Sequence, residues 1–183
     1  GIHFRHTSGR SGRKYGVETI GSGAAFFDYN EDGYVDLYVV NGADLPGHVS
    51  QVRPRNALYR NEGNGRFAET AARAGVADTS YGMGASAGDY DNDGDTDLFL
   101  SNFGPNILYR NEGKGSGTRR FTDVTGRTIP GNDSSWSTGS AFVDYDLDGD
   151  LDLYVANYLD YSFEAESLRP DGTLARPRRH LAP

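Results

Sequence analysis

The stretch GDYDNDGDTDLFL, Gly88 to Leu100, sets an aspartate at every second position from Asp89 to Asp97. The arrangement is repeated. FDYNEDGYVDLYVVN begins at Phe27, and VDYDLDGDLDLYVAN begins at Val143. Aligned on the first aspartate, the copies start at Asp28, Asp89 and Asp144, at spacings of 61 and 55 residues. A glycine stands five residues before each start (Gly23, Gly84, Gly139), and an asparagine stands thirteen after it (Asn41, Asn102, Asn157). A second block follows the first two copies: NALYRNEGNGRF from Asn56 and NILYRNEGKGSGTRRF from Asn106. Self-similarity at such a period marks an array of units, each burying its faces against its neighbours.

Within a unit the local signals are those of strands. GAAFFDY and DLYVV are apolar runs too short for helices and rich in aromatic and β-branched residues. They flank the acidic stretch, which therefore reads as a hairpin connection. ALYRN and ILYRN read as third strands, EGNG as a glycine-rich turn, and RFAET and RFTDV as fourth strands. The 25 glycines in 183 residues, about twice the usual share of roughly 7%, fit many tight turns. Leu37, Tyr38, Val39 and Val40 are apolar on both faces of a strand, so the sheet is expected to be covered on both sides. Four antiparallel strands per unit, stacked face to face, describe a β-propeller blade. The expected fold is all-β: a propeller fragment of about two and a half blades. A β-sandwich fits less well, because its strands do not repeat their loop chemistry. The blades are expected within residues 1–160, in units near 20–80, 81–135 and a partial 136–160, with 161–183 an irregular insertion or truncated tail.

The acidic loop needs a reason to exist. Carboxylates about 4–5 Å apart repel by about 1 kcal/mol in water and about 4 kcal/mol at an effective dielectric of 20. Side-chain oxygens recur at positions one, three, five and nine: Asp28, Asn30, Asp32 and Asp36; Asp89, Asp91, Asp93 and Asp97; Asp144, Asp146, Asp148 and Asp152. Position six is glycine each time (Gly33, Gly94, Gly149), where a sharp turn calls for positive φ. Hard oxygen ligands in a flexible ring, without His or Cys, suit Ca²⁺ better than Mg²⁺, which keeps several waters. Up to three Ca²⁺ ions are expected. The loop is not an EF-hand, which needs a bidentate Glu at its twelfth position; here that position is Val39, Leu100 or Val155.

These loops resemble the FG-GAP/VCBS repeats of integrin-α-type propellers. More narrowly, the chain resembles the ASPIC/UnbV family, which includes the cartilage acidic proteins. The stretches that carry the resemblance are GIHFRHTSGRSGRKYGVETIGSGAAFFDYNEDG, NALYRNEGNGRFAETAARAGV and LYVANYLDY. The resemblance implies that position seven contributes a backbone carbonyl, here from Tyr34, Asp95 and Asp150. It also implies an opening strand containing His3 and His6. No third LYRNEG block follows Tyr161. The chain, which opens at Gly1 as a mature or excised segment would, is therefore expected to be a fragment, with the family's naming domain beyond its C-terminus.

The remaining features narrow the function classes. The formal net charge is −8, a poor match for nucleic acid or an anionic membrane. No apolar run approaches the roughly 18–20 residues of a membrane helix, so membrane insertion is not expected. With no cysteine, disulfides and thiolate chemistry are excluded. His3, His6, His48 and His180 do not cluster along the sequence, and no nucleophile elbow is present. Asn132-Asp133-Ser134 forms a glycosylation sequon, Trp136 is a packing residue or a glycan platform, and Arg169, Arg176, Arg178 and Arg179 lie in the tail. The expected function is a secreted, extracellular or periplasmic Ca²⁺-binding scaffold for binding or adhesion, not an enzyme. Its expected partners are a protein or glycan ligand, together with further propeller blades or a second copy. The alternatives are part of a propeller-type polysaccharide lyase, or a lectin.

Overall fold

Ala24–Phe27 (β1) and Asp36–Val39 (β2) pair antiparallel, with Phe27 opposite Asp36, so the first acidic loop is the hairpin connection. Ala57–Asn61 (β3) and Phe67–Glu69 (β4) complete a sheet in the order β1-β2-β3-β4. The computed structural model describes residues 1–113, 120–129, 132, 135–161 and 163. Its second sheet repeats the first: Tyr81–Gly88 (β5), Asp97–Phe103 (β6), Ile107–Asn111 (β7) and Phe121–Asp123 (β8), again in sequence order. Ser137–Val143 (β9) and Asp152–Asn157 (β10) pair as a third hairpin. One-turn helices, Ala71–Ala74 (α1) and Thr125–Thr128 (α2), follow the fourth strand of each full sheet. The architecture is thus all-β and propeller-like. The tail arginines and His180 lie outside the described residues.

Strand alternation makes the stack. Leu98 and Leu100 of β6 face the first sheet and bury against Tyr38, Val40 and Leu58. Phe99, between them, faces the other way and packs with Phe142, Leu153 and Val155 of the third hairpin. Each such fully buried side chain contributes about 1.5–3 kcal/mol. Coverage on both faces therefore holds for the middle sheet. In the first sheet Tyr38 is buried, but Leu37 and Val39 on the opposite face are only half-buried. In the third, Tyr154, the counterpart of buried Tyr38 and Phe99, is 67% exposed. The recurring glycine marks the closest approach of the innermost strands: a Cβ on Gly23 would lie 2.9 Å from Gly84 Cα, and one on Gly84 would lie 3.3 Å from Thr138 O.

One expectation needs revision, and one alternative is decided in favour of packing. Residues 1–10 run beside the first sheet but form no strand. They are held by a side chain, Asn41, which accepts the Thr7 N–H at 2.9 Å and donates to Arg5 O at 3.3 Å. Trp136 is no glycan platform: it is 2% exposed, wedged edge-on among Phe103, Tyr158 and Tyr161. Asn132 of the sequon binds the Asn106 backbone through both ends of its amide. No helix among the described residues is long and apolar enough to cross a membrane.

Candidate metal centres

The three loops share one internal wiring. The position-one carboxylate takes the amides of positions five and six. Asp28 accepts Asp32 N–H at 3.1 Å and Gly33 N–H at 2.8 Å; Asp89 does the same for Asp93 and Gly94, and Asp144 for Asp148 and Gly149. Position five accepts the amide of position seven at 2.9 Å in every loop. Gly33, Gly94 and Gly149 have φ of 87°, 89° and 96°, the positive values foreseen for position six. Position four is left-handed as well, at Glu31, Asn92 and Leu147, of which only the asparagine is a type that favours that conformation.

Position nine anchors the loop to its sheet. Asp36 and Asp97, both 0% exposed, open β2 and β6. Asp36 accepts Tyr29 N–H at 3.1 Å and Asn61 N–H at 2.7 Å; Asp97 accepts Tyr90 N–H at 3.0 Å and Asn111 N–H at 2.7 Å. Burial pushes the Asp36 carboxyl up to about 6 and that of Asp97 up to about 7; the two amides pull each down, and neighbouring loop aspartates push each up further. A carboxylate has about four acceptor sites, so two amides leave room for a cation on the same oxygens. Asn61 and Asn111 of the RNEG blocks complete the tie. Asn111 Nδ2 donates to Thr96 O at 3.1 Å and, across the sheet boundary, to Tyr29 O at 2.9 Å. The repeated RNEG block held this signal; its asparagine sits at one place in the first two units.

Positions one, three and nine converge. Ligand oxygens of Asp89, Asp91 and Asp97 lie within 4.8 Å of one another, and so do those of Asp144, Asp146 and Asp152. Burial and the neighbouring Asp93 raise the Asp91 carboxyl. The first loop has Asp28 and Asp36 with the neutral Asn30 between them. Asn30 Nδ2 donates to Asp32 at 2.8 Å, while its Oδ1 is buried with no hydrogen-bond partner. An orphaned carbonyl oxygen beside carboxylates is free to accept a cation. Asp32, Asp93 and Asp148 at position five stand at the loop's inner turn through the amide bond already described. The side chains of position seven turn outward. The Tyr34 ring lies over Gly63, Asp95 against the Gly113 turn, and Asp150 accepts Asn92 Nδ2 at 2.6 Å, joining the second loop to the third.

Away from the loops, His3, His6 and His48 line one cleft, which their separation in sequence did not suggest. The cause is the connection after β2, which folds back onto the N-terminal segment through Asn41. Asp44, His48 and Ser50 meet there without forming a catalytic relay. Ser50 Oγ donates straight to Asp44 at 2.6 Å, and both residues approach the same ring nitrogen, Nε2 of His48, at 3.3 and 3.7 Å. A relay needs the acid on one nitrogen and the hydroxyl on the other.

The pattern that defines the FG-GAP-like repeat matches residues 28–100 and again 89–155, running from the first acidic loop into β10 and leaving β1 outside. The chain belongs to the FG-GAP-like repeat family. It is similar to cartilage acidic protein 1 of Mus musculus, with 33% identity over 120 residues, 62% of this chain and 17% of that protein. It is likewise similar to cartilage acidic protein 1 of Homo sapiens, with 31% identity over 142 residues, 75% of this chain and 21% of that protein. The chain spans about a fifth of the length of these relatives. The overlap of the two FG-GAP-like matches falls on the second loop, which closes one repeat and opens the next.

Proposed function

We propose that the chain is a Ca²⁺-binding segment of a secreted, extracellular or periplasmic β-propeller, and that it serves as a binding or adhesion scaffold without a reaction of its own. The observation that carries this reading is the orphaned, buried Asn30 Oδ1, in the one loop where a neutral side chain replaces the position-three aspartate. The donor set is oxygen alone, which suits hard cations, and the number of protein oxygens per loop favours Ca²⁺ over Mg²⁺, which keeps several waters. In this reading Asp28, Asn30, Asp32 and Asp36 hold the first ion. Asp89, Asp91, Asp93 and Asp97 hold the second, and Asp144, Asp146, Asp148 and Asp152 the third. Tyr34, Asp95 and Asp150 contribute through the backbone. A bound cation supplies the positive charge that offsets the crowding of these carboxylates.

Extracellular modules bind Ca²⁺ with dissociation constants of about 10⁻⁴–10⁻³ M. At about 1 mM Ca²⁺ the tighter end adds about 1.4 kcal/mol per site, or about 4 kcal/mol for three sites. That approaches the whole stability of a marginal domain. Thermal melts in excess chelator and in millimolar Ca²⁺ test the reading. A rise of many degrees with Ca²⁺, not reproduced by Mg²⁺, is expected; coincident melts would refute it.

A further inference from the structure

The two full sheets differ in one connection. Between β6 and β7 the chain needs three residues, 104–106; between β2 and β3 it uses seventeen, 40–56. The extra length is not required to build the sheet. It is nevertheless firmly held. Leu45 is buried in the aromatic cluster beside Tyr15 and Tyr81, Asn56 Oδ1 accepts Asn41 N–H at 2.7 Å, and Ser50 is locked to Asp44. Against the N-terminal segment this connection forms a cleft of about 770 Å³.

The lining of the cleft runs against the charge of the chain. In a protein of net charge −8, Arg5, Arg53 and Arg55 line it, and none of them forms a salt bridge among the described residues. Glu69 is the one carboxylate in the lining, and it accepts the Ala71 N–H at 3.0 Å. Asp44, close to Arg53, is taken up by Ser50. Beside these cations, Val49 and Val52 are 89% and 83% exposed. The aromatic residues of the cleft present no open face: Tyr59 is buried and Phe4 half-buried.

We propose that this cleft docks an acidic polypeptide segment of a partner protein, with Arg5, Arg53 and Arg55 gripping its carboxylates and Val49 and Val52 covering its aliphatic side chains. The proposal deepens the scaffold reading by naming the class of partner, and it rests on that reading. Guanidinium groups suit carboxylates because the planar fork can bind both oxygens at once. Exposed valines suit aliphatic residues. A glycan would call for exposed aromatic rings to meet its C–H faces, and single-stranded nucleic acid for stacking platforms as well as a larger positive field. A pre-held connection spares the ordering that binding would otherwise require.

Fluorescence anisotropy on the purified protein in Ca²⁺, using a labelled ten-residue peptide of alternating Glu and Val, tests the assignment. Saturable binding that weakens with salt is expected. Arg5→Gln/Arg53→Gln/Arg55→Gln should weaken it at least tenfold and Val49→Ser/Val52→Ser at least threefold, while Arg66→Gln, exposed and outside the cleft, leaves it unchanged. Should the triple variant lose its Ca²⁺-dependent melt, Arg53→Gln alone is read instead, with at least a threefold loss expected. A hyaluronan octasaccharide and a ten-residue oligothymidylate should bind at least tenfold more weakly than the peptide. Absence of peptide binding, insensitivity to the arginine variants, or tighter binding of either competitor overturns the proposal. The melt in chelator and in Ca²⁺, run on the same samples, keeps the two readings apart: intact peptide binding with no Ca²⁺ response strikes the loops and spares the cleft, and the converse strikes only the cleft.

Discussion

Asp97 serves two structures at once. Its oxygens accept the Tyr90 amide within the loop and the Asn111 amide that fastens the loop to β7, and they close the cluster with Asp89 and Asp91. Replacing it therefore harms the fold and the candidate site together, and Asp91 is the cleaner probe. Asp91→Asn gives the second loop the donor set of the first and should weaken Ca²⁺ binding there about tenfold, or about 1.4 kcal/mol. Asp95→Asn, whose side chain turns toward Gly113, should change affinity less than about twofold, through long-range charge that salt screens. Site-resolved calorimetry separates the two, and equal losses would contradict the ligand assignment. Asn111→Ala should cost about 2–4 kcal/mol in urea unfolding, because it strips partners from the carbonyls of Tyr29 and Thr96. Proton linkage has a definite sign. Without Ca²⁺, Asp36 and Asp97 are held at about 6 and about 7 by burial, above the value of about 3.9 in an unfolded chain. Their contribution is full below about pH 4 and is lost as pH rises through about 6 to 7. His6, lowered by burial, opposes this, and Asp91, raised by burial, adds to it. In chelator the melting temperature should rise as pH falls from about 8 to about 5.5; in Ca²⁺ it should fall, because protons and the ion compete for the same oxygens. The same sign under both conditions would contradict the account.

The hairpin is the element that sequence reveals best. Two short apolar runs around a fixed loop left no competing period, and β1–β2, β5–β6 and β9–β10 are the result. The fourth strands followed from the glycine turns before them. The single-turn helices α1 and α2 were not legible, because four residues are too few to display a helical period. Nor was the meeting of residues 1–7 with 41–56, since it depends on one asparagine side chain bridging segments far apart in sequence. The oxygen pattern of the loops could be read from spacing. The asparagine amides that meet position nine could not, because they belong to a different strand. The recurring glycine offers a test at this scale. Gly23→Val would push into the Gly84 backbone, already 2.9 Å from a Cβ at that position, and should destabilise by about 1–3 kcal/mol or more. A Cβ at Gly139 meets nothing within 4 Å, so Gly139→Ala should be tolerated in the same unfolding experiment.

The stack as a whole leaves apolar surface at both ends. Phe26 on the first sheet and Tyr145, Leu147 and Tyr154 on the third hairpin are each more than two-thirds exposed, whereas Tyr38 and Phe99 at the equivalent of Tyr154 are buried by the next sheet. A protein of this sequence alone should self-associate through these faces. Sedimentation at rising concentration is expected to show growing species, and a monodisperse monomer at high concentration would contradict it. The ends and the middle are linked through the loops: Asn92 of the second loop binds Asp150 of the third, and Asn111 of the second sheet binds the first loop. Loss of Ca²⁺ should therefore loosen the contacts between sheets as well as the hairpins. That loosening depends on the loops holding ions. Isothermal titration of the chelator-stripped protein with Ca²⁺ at neutral pH measures that directly. The account predicts saturable binding of about three ions per chain, with dissociation constants near 10⁻⁴–10⁻³ M; a titration with no saturable heat and no bound Ca²⁺ at millimolar concentration would contradict it.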